Sequence, residues 1–318
     1  MKLISAFFRL VRWPNLIFIA LTQLLFFYCI ILPSLPEGYY QQSNKLTPNI
    51  FFLLVVASVL IAAAGYIIND YFDINIDQVN KPDKMVVQKI IGRRWAIVLH
   101  LVITFAGLVI SGYVSLKTNW VILMANFICA LLLWAYSTTF KKKLLSGNII
   151  ISGLTAWTVL VLYFAANTSL ILTADLQPAI ASGMNRIYKF AALYAGFAFI
   201  ISLIREVVKD IEDMEGDARY NCKTMPIVWG VPAAKVFVGV WLVVLVGALV
   251  IVQFYALQMG WWLSALYVVA LVIVPLIWIL KKFHQAQTPL QYHVVSNMIK
   301  LVMLTGICSI LFIRMYAQ

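Results

Sequence analysis

Long apolar stretches separated by short polar ones run through the whole chain. Nine of them are about 20 residues long, enough for a helix to cross the hydrocarbon core of a bilayer. The predicted helices occupy residues 14–32, 50–69, 95–115, 119–139, 149–166, 188–206, 233–256, 261–280 and 292–313. No polar segment is long enough to fold by itself, so the pattern predicts an all-α, multi-pass membrane bundle in which residues 1–318 form a single domain.

Composition supports a protein that lives in the lipid bilayer. Of the 318 residues, 63% are hydrophobic and 11% are charged, whereas soluble domains carry about 25% charged residues. The net charge of +12 would suit nucleic acid, but the basic residues fall in short loops between apolar stretches, which argues against a nucleic-acid partner. The 4 cysteines and 3 histidines are scattered, so neither a disulfide framework nor a zinc, iron–sulfur or haem site is expected. No protein partner is implied.

The basic residues also predict an orientation in the cell membrane. Most of the 24 Lys and Arg residues lie at the N-terminus and in the loops after the second, fourth, sixth and eighth predicted helices. By the positive-inside rule the N-terminus and these loops are cytoplasmic, and the C-terminus lies on the opposite side. Lys300 falls inside the ninth predicted helix, and the sequence suggests no role for it. The basic residues of the opposite side are Lys45, Lys117, Arg186, Lys189 and Arg314.

Two acidic patterns carry the candidate chemistry. Asp70, Asp73 and Asp77 follow one apolar stretch at spacings of i, i+3 and i+7, which places them on one face of a helix. The same spacing recurs after the sixth predicted helix, at Asp210, Asp213 and Asp217. A single pattern of this kind is usually a solvated helix face. A matched pair is more specific in a chain with 12 acids, of which all but Glu37 and Asp175 lie in the loops after the second and sixth helices.

Three neighbouring carboxylates repel one another unless a cation lies among them. Carboxylate oxygens suit Mg²⁺, especially where a phosphate supplies further ligands. Both patterns end apolar stretches on the same predicted side, so the nine helices are expected to surround a central cavity across which the patterns face each other. Such a site would hold Mg²⁺ bridging a diphosphate and promote cleavage of a carbon–oxygen bond. If the carbon is allylic, aromatic faces can stabilise the resulting cation.

These motifs resemble a known family. Asn69-Asp70-x-x-Asp73-x-x-x-Asp77 and Asp210-x-x-Asp213-x-x-x-Asp217 are similar to the two signature motifs of the UbiA-type intramembrane prenyltransferase superfamily, and the nine-helix layout is similar too. The resemblance implies that Asn69 and the six aspartates bind Mg²⁺ and a prenyl diphosphate, and that the aspartates are catalytic.

The resemblance implies further substrate-binding residues. Tyr136 and Lys141 correspond to a tyrosine–lysine motif after the fourth helix, but the spacing is one residue longer than in some members, so either Lys141 or Lys142 reaches the phosphate. Arg12-Trp13-Pro14-Asn15 is similar to an Arg-x-x-Asn motif in which Asn15 lines the cavity. Arg205, next to Glu206, either contacts phosphate or pairs with its neighbours.

The acceptor is a separate question. Asn80-Lys81-Pro82-Asp83, Gly147-Asn148 and Thr224-Met225-Pro226 look most like the digeranylgeranylglyceryl-phosphate synthase branch. That branch transfers a geranylgeranyl group from geranylgeranyl diphosphate to the hydroxyl of a prenylated glycerol phosphate. An aromatic acceptor, as in quinone biosynthesis, is the alternative within the family.

Other interpretations remain open at this level. A divalent-cation channel or transporter with acidic mouths is the rival class, but it would need polar groups at mid-membrane, and residues 51–64 are almost wholly apolar. Tyr136 also fits an ordinary interfacial aromatic, and Asn15 fits an interhelical hydrogen bond. The triple lysine at 141–143 also fits a topology signal.

Overall fold

The computed structural model describes residues 2–36, 46–167 and 178–316. Helices dominate these residues, and no strand forms among them beyond an isolated bridge between Val87 and Ile91. Helix α1 is Lys2–Leu10, α2 is Trp13–Ser34, α3 is Pro48–Phe72, α4 is Ile74–Asn80, α5 is Arg93–Lys117, α6 is Trp120–Thr138 and α7 is Ser146–Ala166. Helix α8 is Pro178–Glu212, α9 is Met214–Arg219, α10 is Met225–Val228, α11 is Gly230–Gln258, α12 is Trp262–Gln285 and α13 is Pro289–Met315.

Nine helices in the described part of the chain are long and apolar enough to cross a membrane. They are α2, α3, α5, α6, α7, α8, α11, α12 and α13, and each overlaps one of the nine predicted stretches over most of its length. The predictions of an all-α fold and of nine crossings are confirmed. The protein is a multi-pass membrane protein.

Helix α8 begins earlier than the hydropathy pattern predicted. The sequence predicted a polar loop over 167–187, but α8 already begins at Pro178 and runs for 35 residues. At 1.5 Å per residue it is roughly 50 Å long, well beyond the ~30 Å hydrocarbon core. Its first turns are too polar to register as membrane-spanning, yet Gly183 lies against the backbone carbonyl of Ser34, where a β-carbon would not fit.

Helix α1 was not predicted at all. It is a nine-residue amphipathic helix that buries Ala6 and Leu10 and exposes Leu3, Ile4 and Phe8. A short helix with this pattern fits the interface of a membrane rather than its core. Arg12 follows in a left-handed conformation, with φ 50° and ψ 52°, and α2 begins at the next residue.

Two compact units make up the chain. The first unit is Met1–Phe140 with Trp157–Leu193, and the second is Lys141–Ala156 with Tyr194–Gln318. In the first unit, Ala6 and Leu10 of α1 share a buried cluster with Ala63 and Ile67 of α3. Met85, Val86, Val87 and Ile91 belong to the same cluster. That cluster fixes the chain on both sides of the first acidic pattern.

The second unit has its own core. Buried residues of α8, α11, α12 and α13 form one cluster, with Ile204, Val238, Leu276 and Ile299 fully buried at its centre. This core holds the end of α8 that leads into the second acidic pattern. That the chain forms a single domain around a central cavity stays a prediction.

Some expectations fall outside the described residues. Glu37, Lys45 and Asp175, and the greater part of the two polar loops that contain them, belong to 37–45 and 168–177.

Candidate active site

The first acidic segment, residues 69–77, is a helix with one interruption. Helix α3 ends at Phe72, and Asp73 adopts φ −87° and ψ 0° before α4 begins at Ile74. The backbone hydrogen bonds continue across the interruption, from Asp73 N to Asn69 O at 3.0 Å and from Asp77 N to Asp73 O at 2.8 Å. The segment therefore differs from the uninterrupted helix implied by the spacing, because ψ at Asp73 opens the turn.

Side chains fix two of the carboxylates in this segment. Asp73 is buried, with 4% of its surface exposed, and accepts a hydrogen bond at 2.7 Å from the side-chain amide of Asn69. The other side-chain atom of Asn69, its carbonyl oxygen Oδ1, is buried without a hydrogen-bond partner. Such an orphaned oxygen is costly unless a ligand or water satisfies it.

Asp70 has a different partner. The guanidinium of Arg12 donates to its carboxylate at 2.7 Å and lies over the ring of Tyr66, 5.2 Å from its centroid. Burial disfavours the charged guanidinium, but the negative charge of Asp70 outweighs this and raises the pKa of Arg12 above its ordinary value. Arg12 is therefore a fixed cation, and the left-handed turn between α1 and α2 aims it at the acidic segment.

The second acidic segment, residues 209–217, repeats the backbone of the first. Helix α8 ends at Glu212, and Asp213 adopts φ −93° and ψ 6° before α9 begins at Met214. Asp213 N donates to Lys209 O at 2.8 Å, and Asp217 N donates to Asp213 O at 3.2 Å. The repeated sequence pattern is thus a repeated turn, with the middle aspartate at the same break in each copy.

The first carboxylate of the second segment has a neutral partner. Asp210 accepts a hydrogen bond at 2.8 Å from the side-chain amide of Asn148, near the start of α7. Asn148 was noted in the sequence as a mark of one family branch, without a contact. Asp217 is buried, with 5% of its surface exposed.

Charged side chains surround the end of α8. Arg205 and Lys209 lie 3.4 and 3.5 Å from the same carboxylate oxygen of Glu206, so Arg205 pairs with a neighbour. The Nε of Arg205 is buried without a hydrogen-bond partner, which leaves a donor for a further ligand. Glu212 contacts His293 of α13 at 2.8 Å, a pairing that no sequence pattern had indicated.

The remaining predicted residues divide between the two units. Asn15 lies in the first turn of α2, where its backbone N–H donates to Arg12 O at 2.8 Å. Tyr136 is half-buried near the end of α6. Lys141 and Lys142 lie in a short 3₁₀ turn, Phe140–Lys142, and the carbonyl of Lys142 accepts from Lys223 N at 2.8 Å. This bond ties the lysine turn to the loop after the second acidic segment.

The structure thus assembles two sets of candidate residues. Within the first unit Arg12 contacts Asp70 and Asn69 contacts Asp73, and within the second unit Asn148 contacts Asp210. That the two acidic segments face each other stays a prediction.

The donor set suits a hard cation. Carboxylates and the buried, unpartnered amide oxygen of Asn69 are the oxygen ligands that Mg²⁺ prefers. In the three described ranges, no group of three or more His, Cys, Asp or Glu side chains is arranged to hold a metal ion. The metal role of Asp70, Asp73, Asp77, Asp210, Asp213 and Asp217 stays a prediction.

Comparison with known proteins gives three consistent findings. The model of the UbiA prenyltransferase family matches residues 30–298. The digeranylgeranylglyceryl phosphate synthase of Thermococcus gammatolerans is 32% identical over 201 residues, which are 63% of this chain and 61% of that protein. The chain thus spans less than two thirds of that relative. The enzyme of the same name from Methanosphaera stadtmanae is 25% identical over 266 residues, 83% of this chain and 88% of that protein.

A solved structure has the same fold. A UbiA homolog from Archaeoglobus fulgidus bound to DMAPP and Mg²⁺ matches with a TM-score of 0.58, covering 96% of this chain and 98% of that one at 15% identity. At this identity the likeness concerns the fold. It agrees with the nine membrane-spanning helices.

Proposed function

Because the chain belongs to the UbiA prenyltransferase family, we propose that it transfers a prenyl group from a prenyl diphosphate to a lipophilic acceptor within the membrane, with Mg²⁺ as cofactor. The repeated turn at Asp73 and Asp213 carries this proposal. Two copies of one carboxylate-bearing turn, each at the end of a membrane-spanning helix, offer the oxygen ligands that suit Mg²⁺ bound to a diphosphate.

In the proposed reaction the bond between C1 of the prenyl group and the diphosphate oxygen breaks, and the diphosphate leaves with the electron pair. A hydroxyl oxygen of the acceptor then bonds to C1 and passes its proton to the released diphosphate, so an ether forms. Mg²⁺, when bound, supplies positive charge to the diphosphate. Asn69 with the aspartates of both acidic segments would hold the metal.

The other proposed contacts are cationic or polar. Arg12 is already charged and fixed beside Asp70, and Arg205 has a buried N–H to offer. Both suit phosphate oxygens, which guanidinium groups bind strongly. Lys141 or Lys142, with Tyr136 and Asn15, would complete the substrate contacts, and the active-site loops would be cytoplasmic, as the charge distribution predicts.

For the acceptor we propose a prenylated glycerol phosphate, with geranylgeranyl diphosphate as donor. Support comes from the relatives from Thermococcus gammatolerans and Methanosphaera stadtmanae, both digeranylgeranylglyceryl phosphate synthases. An aromatic acceptor is the alternative, and a cation channel or transporter is the rival class.

The test uses purified full-length protein with Mg²⁺, labelled geranylgeranyl diphosphate and either geranylgeranylglyceryl phosphate or an aromatic acid. We expect diphosphate release and an ether-linked product with the glycerol phosphate. Transfer to the aromatic acid only would overturn the proposed acceptor. Metal flux across liposomes without any turnover would overturn the enzyme proposal.

A further inference from the structure

Helices α11 and α12 form an antiparallel hairpin with an apolar groove along one half. The connection between them is three residues, 259–261, and the groove lies at the other end of the hairpin. It has a volume of about 750 Å³, and its lining includes Lys235, Val236, Gly239 and Val240 of α11 and Leu280 and His284 of α12. All of these residues belong to the second unit.

The groove is apolar along its length and open to its surroundings. Val236, Val240 and Val243 have exposed fractions of 66%, 55% and 60%. Gly239 supplies no side chain, and a β-carbon there would lie 3.9 Å from Leu280, so the floor is open without being strained. In a membrane-spanning helix such a surface is covered by a hydrocarbon chain or by another protein.

The mouth of the groove is basic. Lys235 Nζ donates to the backbone carbonyls of His284 at 3.0 Å and Ala286 at 2.6 Å, and lies 5.9 Å from the ring centroid of Tyr292. An ammonium has three N–H donors, so one is left for a ligand. Because the carbonyls already hold the ammonium in place, binding a ligand costs little further conformational entropy of the Lys235 side chain.

Further positive charge flanks this mouth. Lys281 is exposed and lies one turn before His284 on α12, and Lys282 is exposed over the ring of Trp278 at 5.4 Å. Neither these two lysines nor Lys235 takes part in an ion pair within the described part of the chain. The sequence contains no Asp or Glu after Asp217. The charge therefore favours an anionic ligand at the mouth.

The length of the groove matches one leaflet. Residues 231–244 of α11 span roughly 20 Å of helix, slightly more than half of a ~30 Å hydrocarbon core. From these dimensions and charges we propose that the groove binds one anionic phospholipid, with an acyl chain along Gly239 and Val240 and the phosphate at Lys235 and Lys281.

The test is photo-crosslinking of the purified full-length protein in nanodiscs with a trace of phosphatidylglycerol or phosphatidylcholine carrying a diazirine on one acyl chain. We expect labelled peptides from α11 and α12, with phosphatidylglycerol preferred over phosphatidylcholine. Equal labelling of all lipid-facing helices by both lipids would overturn the proposal.

Two variants separate chain binding from headgroup binding. Lys235→Gln/Lys281→Gln should weaken the binding of phosphatidylglycerol about thirtyfold, at about 1 kcal/mol for each charge near a membrane surface, and leave phosphatidylcholine unchanged. Gly239→Trp should abolish labelling of the groove by both lipids. Unchanged labelling in Gly239→Trp would overturn the site. An unlabelled groove in the wild type, together with a change of oligomeric state in Gly239→Trp, would also overturn it, because the occupant would then be a second copy of this chain.

Controls come from the same unit. Arg314→Gln removes an exposed charge near the C-terminal end of α13, whereas Tyr292 at the mouth of the groove lies near the N-terminal end of that helix. Ile251→Trp enlarges an exposed side chain of α11 beyond the groove. Both should label as the wild type does. If either control variant loses as much labelling as the groove variants do, the labelling reports how well the protein is folded rather than binding in the groove, and the proposal would fail.

Discussion

The two acidic segments share a backbone but differ in what holds their first carboxylate. Asp73 and Asp213 occupy the same break between two helices, with nearly equal dihedral angles. Asp70, however, is paired with the cation Arg12, whereas Asp210 accepts a neutral amide from Asn148. The turn belongs to the motif, while the charge environment is supplied by distant parts of the chain.

This difference suggests a division of labour. The charge of Asp70 is largely balanced by Arg12, so the first segment offers a carboxylate and a fixed cation together. Asp210 instead accepts a hydrogen bond from a neutral amide, which orients its carboxylate without placing a cation against it. We therefore expect changes at Arg12 to affect chiefly the diphosphate, and changes at Asn148 to affect chiefly Mg²⁺.

The largest effect should come from the shared position of the two turns. Asp73→Ala and Asp213→Ala should each lower the rate of diphosphate release by about 10²–10³-fold, because each removes a carboxylate from the proposed metal site. The measurement is Mg²⁺-dependent turnover of geranylgeranyl diphosphate by purified variants. Wild-type turnover in both variants would refute the metal-site proposal.

Asp83 is a matched control for these variants. It is an exposed aspartate in the 3₁₀ turn Pro82–Lys84, shortly after the first acidic segment. Asp83→Ala should keep wild-type turnover, and all three variants should insert into membranes as the wild type does.

Arg12→Gln tests the cation of the first segment. A hydrogen bond to a charged group is worth about 1.5–3 kcal/mol, so we expect at least a tenfold fall in kcat/KM, carried mainly by a higher KM for the prenyl diphosphate. Arg9→Gln, an exposed arginine one turn earlier, is the control and should be silent. A lower kcat at an unchanged KM would contradict the diphosphate role.

Asn148→Ala tests the neutral partner of the second segment. Loss of a group that orients a metal ligand typically costs 10–100-fold in metal affinity, and we expect about a tenfold higher Mg²⁺ concentration at half-maximal rate. Ser152 lies one turn further along α7 and donates to Asn148 O at 2.6 Å without touching Asp210. Ser152→Ala should leave the Mg²⁺ requirement unchanged. If both variants shift it equally, the effect is one of helix packing.

The sequence predicted the membrane helices well because crossing a bilayer requires about 20 apolar residues whatever the helix packs against. The same rule is blind to α1, which is nine residues long, and to residues 178–187 of α8, whose polar composition resembles a loop. Both are helical because of tertiary contacts, such as Gly183 against Ser34 and Leu10 in the core of the first unit.

For the candidate site, too, the sequence predicted local patterns but not contacts between distant residues. Spacing identified both aspartate patterns, because a repeated local motif leaves a repeated local signal. The partners are 58 residues apart for Arg12 and Asp70 and 62 residues apart for Asn148 and Asp210. No local pattern encodes such pairs. The break at Asp73 is also invisible in the spacing, since the backbone hydrogen bonds on both sides remain helical.

The smallest effect should come from the exposed end of the second segment. Arg219 pairs with Glu215 at i, i+4 on α9, and both side chains are more than half exposed. Such a surface pair contributes about 0–1 kcal/mol, so Arg219→Gln should change stability by less than about 1 kcal/mol and leave turnover unchanged. Thermal unfolding in detergent and the diphosphate-release assay measure the two quantities. A tenfold loss of turnover at unchanged stability would place Arg219 among the diphosphate contacts. Both acidic segments would then have a cationic contact, and the contrast between the two segments would no longer hold.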